Sequence, residues 1–170
     1  EGTREGSAVR TTVYAVEKDI FDPLHSTFAF PGFHLVAIEA NSKALLRLLE
    51  RYGTSVFRQG SPQTLVAIVD VGHSWTSVTV YTRKGSSVFS RTIPHRITET
   101  LDLKNPLLPD RVVDMVIETI GEIMLFFTQK QMNIAHLIFA GVEAHDDRLK
   151  AKISASQKNL PVALIGEAVL

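Results

Sequence analysis

The stretch Leu65-Val66-Ala67-Ile68-Val69-Asp70-Val71-Gly72-His73-Ser74-Trp75-Thr76-Ser77 decides how this chain folds. Leu65 to Val69 is an unbroken apolar run, the pattern of a strand buried on both faces. Asp70 closes it with a carboxylate, and Gly72 frees a turn by tolerating positive φ. Trp75 to Thr82 then alternates, with Val78 and Val80 on one face and Ser77 and Thr79 on the other. Val88 to Ile93 is a third strand, reached through the hairpin turn Arg83-Lys84-Gly85. Such spacing describes an antiparallel meander.

Downstream, a polar loop with Pro106 and Pro109 precedes a long helix from about Asp110 to Lys130. Val113, Val116, Ile117, Ile120, Met124 and Phe127 form its apolar stripe, and Asp114, Glu118 and Glu122 line the opposite, solvated side. Leu137 to Ala140 reads as a strand, Asp146 to Ser156 as a helix and Val162 to Ile165 as a last strand. The order from residue 64 is β-β-β-α-β-α-β, the ribonuclease-H-like order shared by nucleases and by actin-like ATPase lobes. The fold class is therefore α/β with a mixed five-stranded sheet.

Upstream, residues 1–9 are Gly, Ser and charge, the composition of a frayed end. A strand-like run from Arg10 to Val16 leads to a helix capped by Asp19 and running through Phe21, Leu24, His25 and Phe28. Pro31-Gly32 stops it, and Phe33 to Ile38 is a second strand-like run. Asn41-Ser42 caps a helix with Ala44, Leu45, Leu48 and Leu49 on one face, ended by Gly53. The expected division is an end at 1–9, a β-α-β-α part of one lobe at 10–53, a crossing linker at 54–63 and a second lobe at 64–170.

Composition removes several classes of function. The 18 Lys+Arg balance 18 Asp+Glu, so nothing in net charge favours a nucleic-acid partner. Zero cysteines exclude disulfides, thiolate zinc and a cysteine nucleophile. No run approaches the roughly 18–20 apolar residues that span a bilayer. The polar start has no signal-peptide pattern and no initiator methionine, as expected of a piece of a longer protein. Histidines 25, 34, 73, 95, 136 and 145 lack zinc-ligand spacing. No Gly-x-Ser-x-Gly elbow, Walker A loop or Gly-x-Gly-x-x-Gly occurs. Trp75 reads as a packing residue and Arg91 and Arg96 as exposed cations.

The chemistry concentrates at the turn after Asp70. A carboxylate, a glycine and a returning hydroxyl strand form a hairpin able to cradle phosphate. Asp70 can hold Mg²⁺ through water, and the Thr76 hydroxyl can donate to a phosphate oxygen. The plain alternative is a hairpin whose Asp and Gly only make the turn. A ribonuclease-H-like nuclease would instead gather Asp70 with Glu118 or Glu122 around metals, while Glu143, Asp146 and Asp147 read as solvated or helix-capping.

Leu65 to Pro94 resembles the second phosphate loop and following hairpin of the actin-like ATPase superfamily, and within it the PilM-like type IV pilus assembly proteins. Ala67-Ile68-Val69-Asp70-Val71-Gly72 and Val88-Phe89-Ser90-Arg91-Thr92-Ile93-Pro94 carry the resemblance. Residues 11–53, the long helix with Phe126-Phe127 and Leu137-Ile138-Phe139-Ala140-Gly141 fit it too. The resemblance implies an ATP and Mg²⁺ site formed by Asp70, Gly72, His73, Ser74 and Thr76 with Ala140 and Gly141 at the adenosine turn. It departs in four places. The N-terminal phosphate loop has no counterpart, His73 replaces a small residue, the glycine run shrinks to Ala140-Gly141-Val142, and Gly121 stands where arginine is frequent. A partial nucleotide site without turnover is the consequent expectation. The implied role is a cytoplasmic scaffold at the inner membrane that binds the cytoplasmic tail of a membrane partner and is able to self-associate. An active Mg-ATP-dependent ATPase or phosphotransferase is the alternative.

Overall fold

The computed structural model describes residues 2–5, 8–11, 15–28, 39–52, 61, 63–95, 108–156 and 160–166. Two compact units divide the chain, Glu1–Asn41 and Ser42–Leu170. In the first, β1 (Gly2–Glu5) and β2 (Ala8–Thr11) pair antiparallel, so residues expected to fray carry a backbone ladder instead. Helix α1 (Lys18–Phe28) takes Asp19 into its first turn, and the Glu17 carbonyl accepts from the N–H groups of Ile20 and Phe21. Asp19 is thus a first-turn carboxylate facing the positive end of the helix dipole, not the residue before the helix. The strand expected at 33–38 and most of the 54–63 linker lie outside the described residues.

Helix α2 (Asn41–Tyr52) belongs from Ser42 onward to the second unit. That unit is built on β3 (Thr64–Val71), β4 (Trp75–Thr82), β5 (Ser87–Pro94), β6 (Asn133–Ala140) and β7 (Val162–Leu164), in the sheet order β5-β4-β3-β6-β7. β3 pairs antiparallel with β4 and parallel with β6, and β6 pairs parallel with β7. The parallel crossovers run through α3 (Asp110–Gln129) and α4 (Asp147–Ser156).

The alternation of β3 sorts the core into two layers. Leu65, Ala67, Val69 and Val71 face α3 and α4, packing on Val113, Val116, Ile120, Phe127, Leu149 and Ile153. Val66 and Ile68 face the other way, against Leu46 and Leu49 of α2 with Tyr81 and Ile138. The helix that the sequence assigns to the first lobe therefore covers one face of this sheet, and its Ser42 carbonyl accepts the Tyr81 hydroxyl at 2.9 Å.

Local chemistry sets the element ends. In the β4–β5 turn Gly85 has φ +73°, a left-handed conformation that favours glycine. Helix α3 stops at Gln131, φ 58°, where the Met132 N–H donates to the Phe127 carbonyl at 3.0 Å and the Gln131 N–H to that of Thr128 at 2.9 Å. These two bonds are a Schellman stop made without glycine. Asp146 caps α4 by accepting the Arg148 N–H at 3.0 Å. The Arg148 guanidinium also donates to Asp146, to Asp110 and to the Leu108 carbonyl, tying the starts of α3 and α4 together. Hydrogen bonding from Arg148 holds the Asp146 carboxyl below the usual carboxylate range, against an opposing push from its burial. Among the described residues no helix is long and apolar enough to cross a membrane.

Candidate functional site

The parallel pairing of β3 with β6 sets Asp70 opposite Ala140, so both strands end on the same side of the sheet. Ligands of open α/β sheets bind beyond the carboxyl ends of parallel strands, where loops diverge and leave a crevice. Here the next residue, Gly141, has φ +97°. A Cβ added to it would lie 2.4 Å from the Val71 carbonyl oxygen and 2.6 Å from Oδ1 of Asp70. Only glycine lets the β6 chain turn this closely over the carboxylate.

The glycine of the Asp70 loop works differently from the sequence expectation. Gly72 does not adopt positive φ. Its N–H donates to the Trp75 carbonyl at 2.9 Å, and an added Cβ would meet that oxygen at 3.0 Å with the indole ring 3.6 Å away. Close approach, not backbone handedness, makes the residue small. Trp75 packs over Gly72 while remaining 39% exposed, in line with a mainly packing role.

Asp70 is buried at the end of β3, whereas Ser74 is exposed and Gly72 and His73 are half-buried in the turn. Thr76 is fully buried, and its hydroxyl lies 2.8 Å from Nε2 of His95, itself buried. Full burial places that hydroxyl beneath the turn, against His95. Nδ1 of His95 is buried without a hydrogen-bond partner. Burial is the main cause that holds the His95 pKa below its ordinary value, and the His73 charge adds to it. The His73 backbone carbonyl opposes them, without completing a hydrogen bond.

A contact absent from the sequence reading closes the site. Glu143, expected to be solvated, donates its N–H to the Val71 carbonyl at 3.1 Å, and its Oε1 lies 3.7 Å from Nδ1 of His73. Its side chain is only 12% exposed. The turn after β6 is thus fastened to the turn after β3 by a backbone hydrogen bond, with the Glu143 side chain close to His73. Beside it lies a pocket of about 370 Å³, lined chiefly by Phe139, Gly141, Ala144, His145, Leu164 and Ile165. Its walls are mostly apolar, which suits a flat, partly apolar ligand.

Asp70 is a single buried carboxylate, and among the described residues no group of three or more His, Asp or Glu gathers to hold a metal ion. Gly141 lies close over this carboxylate, where even a Cβ would collide with Oδ1 of Asp70 at 2.6 Å. The nuclease arrangement does not form. Asp70 shares its strand face with Val66 and Ile68, toward α2, while α3 packs on the opposite face. Glu122 moreover accepts Arg91 of β5 at 2.8 Å, and Asp114 is paired with Lys152 of α4. The acidic row of α3 braces neighbouring elements, and Arg91, read as a plain exposed cation, is one of its partners.

No protein-family model matches this sequence, and no curated protein matches it. Solved structures do. A PilM–PilN type IV pilus biogenesis complex aligns with a TM-score of 0.57 at 15% identity over 79% of this chain and 44% of that one. An Alp12 filament structure follows at 0.40 and 14% identity, over 69% of this chain and 50% of its own. Apo ParM of pSK41 gives 0.39 and 16%, over 69% and 43%. This chain spans half or less of the length of each. With its mixed five-stranded sheet and two crossover helices, the chain has the α/β fold of the actin-like ATPases.

Proposed function

We propose that this chain is part of an actin-like scaffold of a type IV pilus or related secretion assembly. It binds the cytoplasmic tail of an inner-membrane partner, as a PilN-type protein would supply, from the cytoplasmic side of the membrane. Its nucleotide site is partial. The observation that carries this reading is the fold likeness to the PilM–PilN complex, beside which Gly141 turns closely over buried Asp70 and borders an apolar pocket. In this reading Asp70 holds Mg²⁺ through water, Gly72 shapes the turn while His73 and Ser74 offer backbone donors to phosphate, and Ala140 and Gly141 border the base. Thr76 acts indirectly, by keeping the turn on the buried His95.

Binding without turnover is favoured by the full burial of Thr76 and by the branched residue Val142, 83% exposed beside the turn. Nucleotide would then shift the population of conformations that accept the partner's tail. Turnover of Mg-ATP is the second reading, supported by the buried Asp70 beside Gly141.

The test is calorimetric titration of Mg-ATP into the chain and into Asp70→Ala, with circular dichroism to verify folding. Binding abolished by the substitution supports the site, and phosphate release above background moves the assignment to the ATPase. No heat from folded protein overturns the nucleotide part. Anisotropy of a labelled PilN-type tail peptide, with and without ATP, tests the scaffold part separately.

A further inference from the structure

Among the described residues strand β5 is an edge of the sheet, paired only with β4. It is also mostly exposed along its eight residues. The His95 N–H donates to the Ser74 carbonyl at 2.7 Å, which fixes the side of the chain that faces β4. By alternation Ile93, Arg91 and Phe89 turn their backbone groups inward, while Thr92 and Ser90 turn theirs outward. Pro94 falls on the outward set, where its missing N–H costs no ladder bond. A register shift at Val80/Tyr81 leaves Val88 as the extra residue of a bulge, so the free edge centres on Ser90 and Thr92.

Beside this edge sits an apolar patch. Phe89 packs on Phe126 and Phe127 with ring centroids 6.0 Å apart, and Phe126 remains 41% exposed, Val88 45% and Leu125 59%. Lys130 covers part of Phe126 at 4.5 Å from its centroid, and Arg91 reaches Glu122 at 2.8 Å. A long edge with apolar flanks is a template for another strand.

We propose that the occupant is a second copy of this chain, joined through β5 about a two-fold axis at Ser90. The charges select that register. An axis at Arg91 would oppose two arginines, whereas an axis at Ser90 sets Arg91 of each copy against Phe89 of the other. A cation then lies on an aromatic face twice over, and each copy brings its own Glu122 to keep the seam neutral. Ser90 pairs with itself and Thr92 with Val88, so one patch is complementary to its own image, as a two-fold interface requires. The balance of 18 Lys+Arg with 18 Asp+Glu removes net repulsion between copies. The result is a continuous sheet across two molecules, a head-to-head arrangement independent of the nucleotide site.

Interfaces below about 1,200 Å² are weak, so the expected dimer forms in the range of roughly 10–100 µM. Sedimentation velocity over that range tests it, with Thr92→Pro and Val88→Lys as variants. Thr92→Pro removes an outward N–H and leaves the inner ladder intact, and lysine blunts an exposed edge. Expected are a concentration-dependent dimer for the parent and at least about a tenfold weaker one for both variants, with unchanged melting temperatures. A peptide copying residues 87–94 should compete. A parent monomeric throughout, or a dimer indifferent to both variants and to the peptide, overturns the proposal. Binding of the peptide to a monomeric parent would assign the edge to a different extended partner, and also overturns it.

Discussion

The Thr76 hydroxyl and Nε2 of His95 lie 2.8 Å apart, both residues buried beneath the turn that follows Asp70. Burial lowers the His95 pKa, and burial lowers that of His136 on β6 as well. Both groups are therefore neutral when folded at pH values where the unfolded chain already protonates them. The unfolded state binds more protons, so stability rises with pH across this interval. It is fully present above the unfolded histidine value of about 6.5 and is lost as pH falls from there toward the lower folded values. Stability measured by urea unfolding should be lower at pH 5.5 than at pH 7.5, and His95→Gln should flatten the difference. An equal slope in the variant would remove His95 from the account.

Gly141→Ala should be the most damaging single-methyl change at the site. The new Cβ would meet the Val71 carbonyl at 2.4 Å and Asp70 at 2.6 Å, in a backbone conformation that L residues rarely adopt. A cost of about 2–4 kcal/mol in chemical denaturation is expected. Gly72→Ala meets a carbonyl at 3.0 Å with ordinary φ and should cost about 1 kcal/mol. If the two variants are equally stable, the close approach at Gly141 is not what holds the turn.

Arg148→Ala should cost about 2–4 kcal/mol, because it leaves the buried Asp146 carboxylate without its guanidinium. The Asp146 carboxyl is held low chiefly by hydrogen bonds from Arg148. Its stabilisation is thus present above the unfolded aspartate value near 4 and lost as pH falls through the folded one. The gap between parent and variant should narrow below about pH 4, which denaturation series at pH 6 and pH 3 would show.

Gly121 offers a change in the opposite direction. It lies inside α3, and a Cβ there would meet nothing within 4 Å. Gly121→Ala should stabilise the chain by about 0.5–1 kcal/mol through the unfolded-state entropy it removes. A loss of stability on thermal melting would reveal a contact at that face.

The meander and the long helix were legible because their patterns are local. The apolar run at Leu65 to Val69 and the 3.6-residue stripe of α3 need no knowledge of distant residues, and their bounds agree with the structure to within two residues. β6 begins at Asn133 rather than Leu137, since its first half is only partly buried and lacks an apolar run. The Glu143–His73 contact depends on the parallel register of Asp70 with Ala140, which nothing local encodes. Counting back from the Gly85 turn would set Thr76 opposite Thr92, but the bulge at Val80/Tyr81 moves it to Ile93 and brings His95 within reach. A single extra residue in one strand hides the buried pair from the sequence.

The central place of β3 also dictates an order of assembly. β4 and β5 follow it closely in the chain and can pair as soon as they exist, whereas β6 starts some sixty residues after β3 ends. On a ribosome adding about 5–20 residues per second, that inner edge stays bare for roughly 3–12 seconds. An apolar strand with open backbone groups is then the most aggregation-prone part of the nascent molecule. Protection of β3 until β6 arrives, by a chaperone or by transient cover from the earlier α2, becomes the step that decides how much protein is recovered.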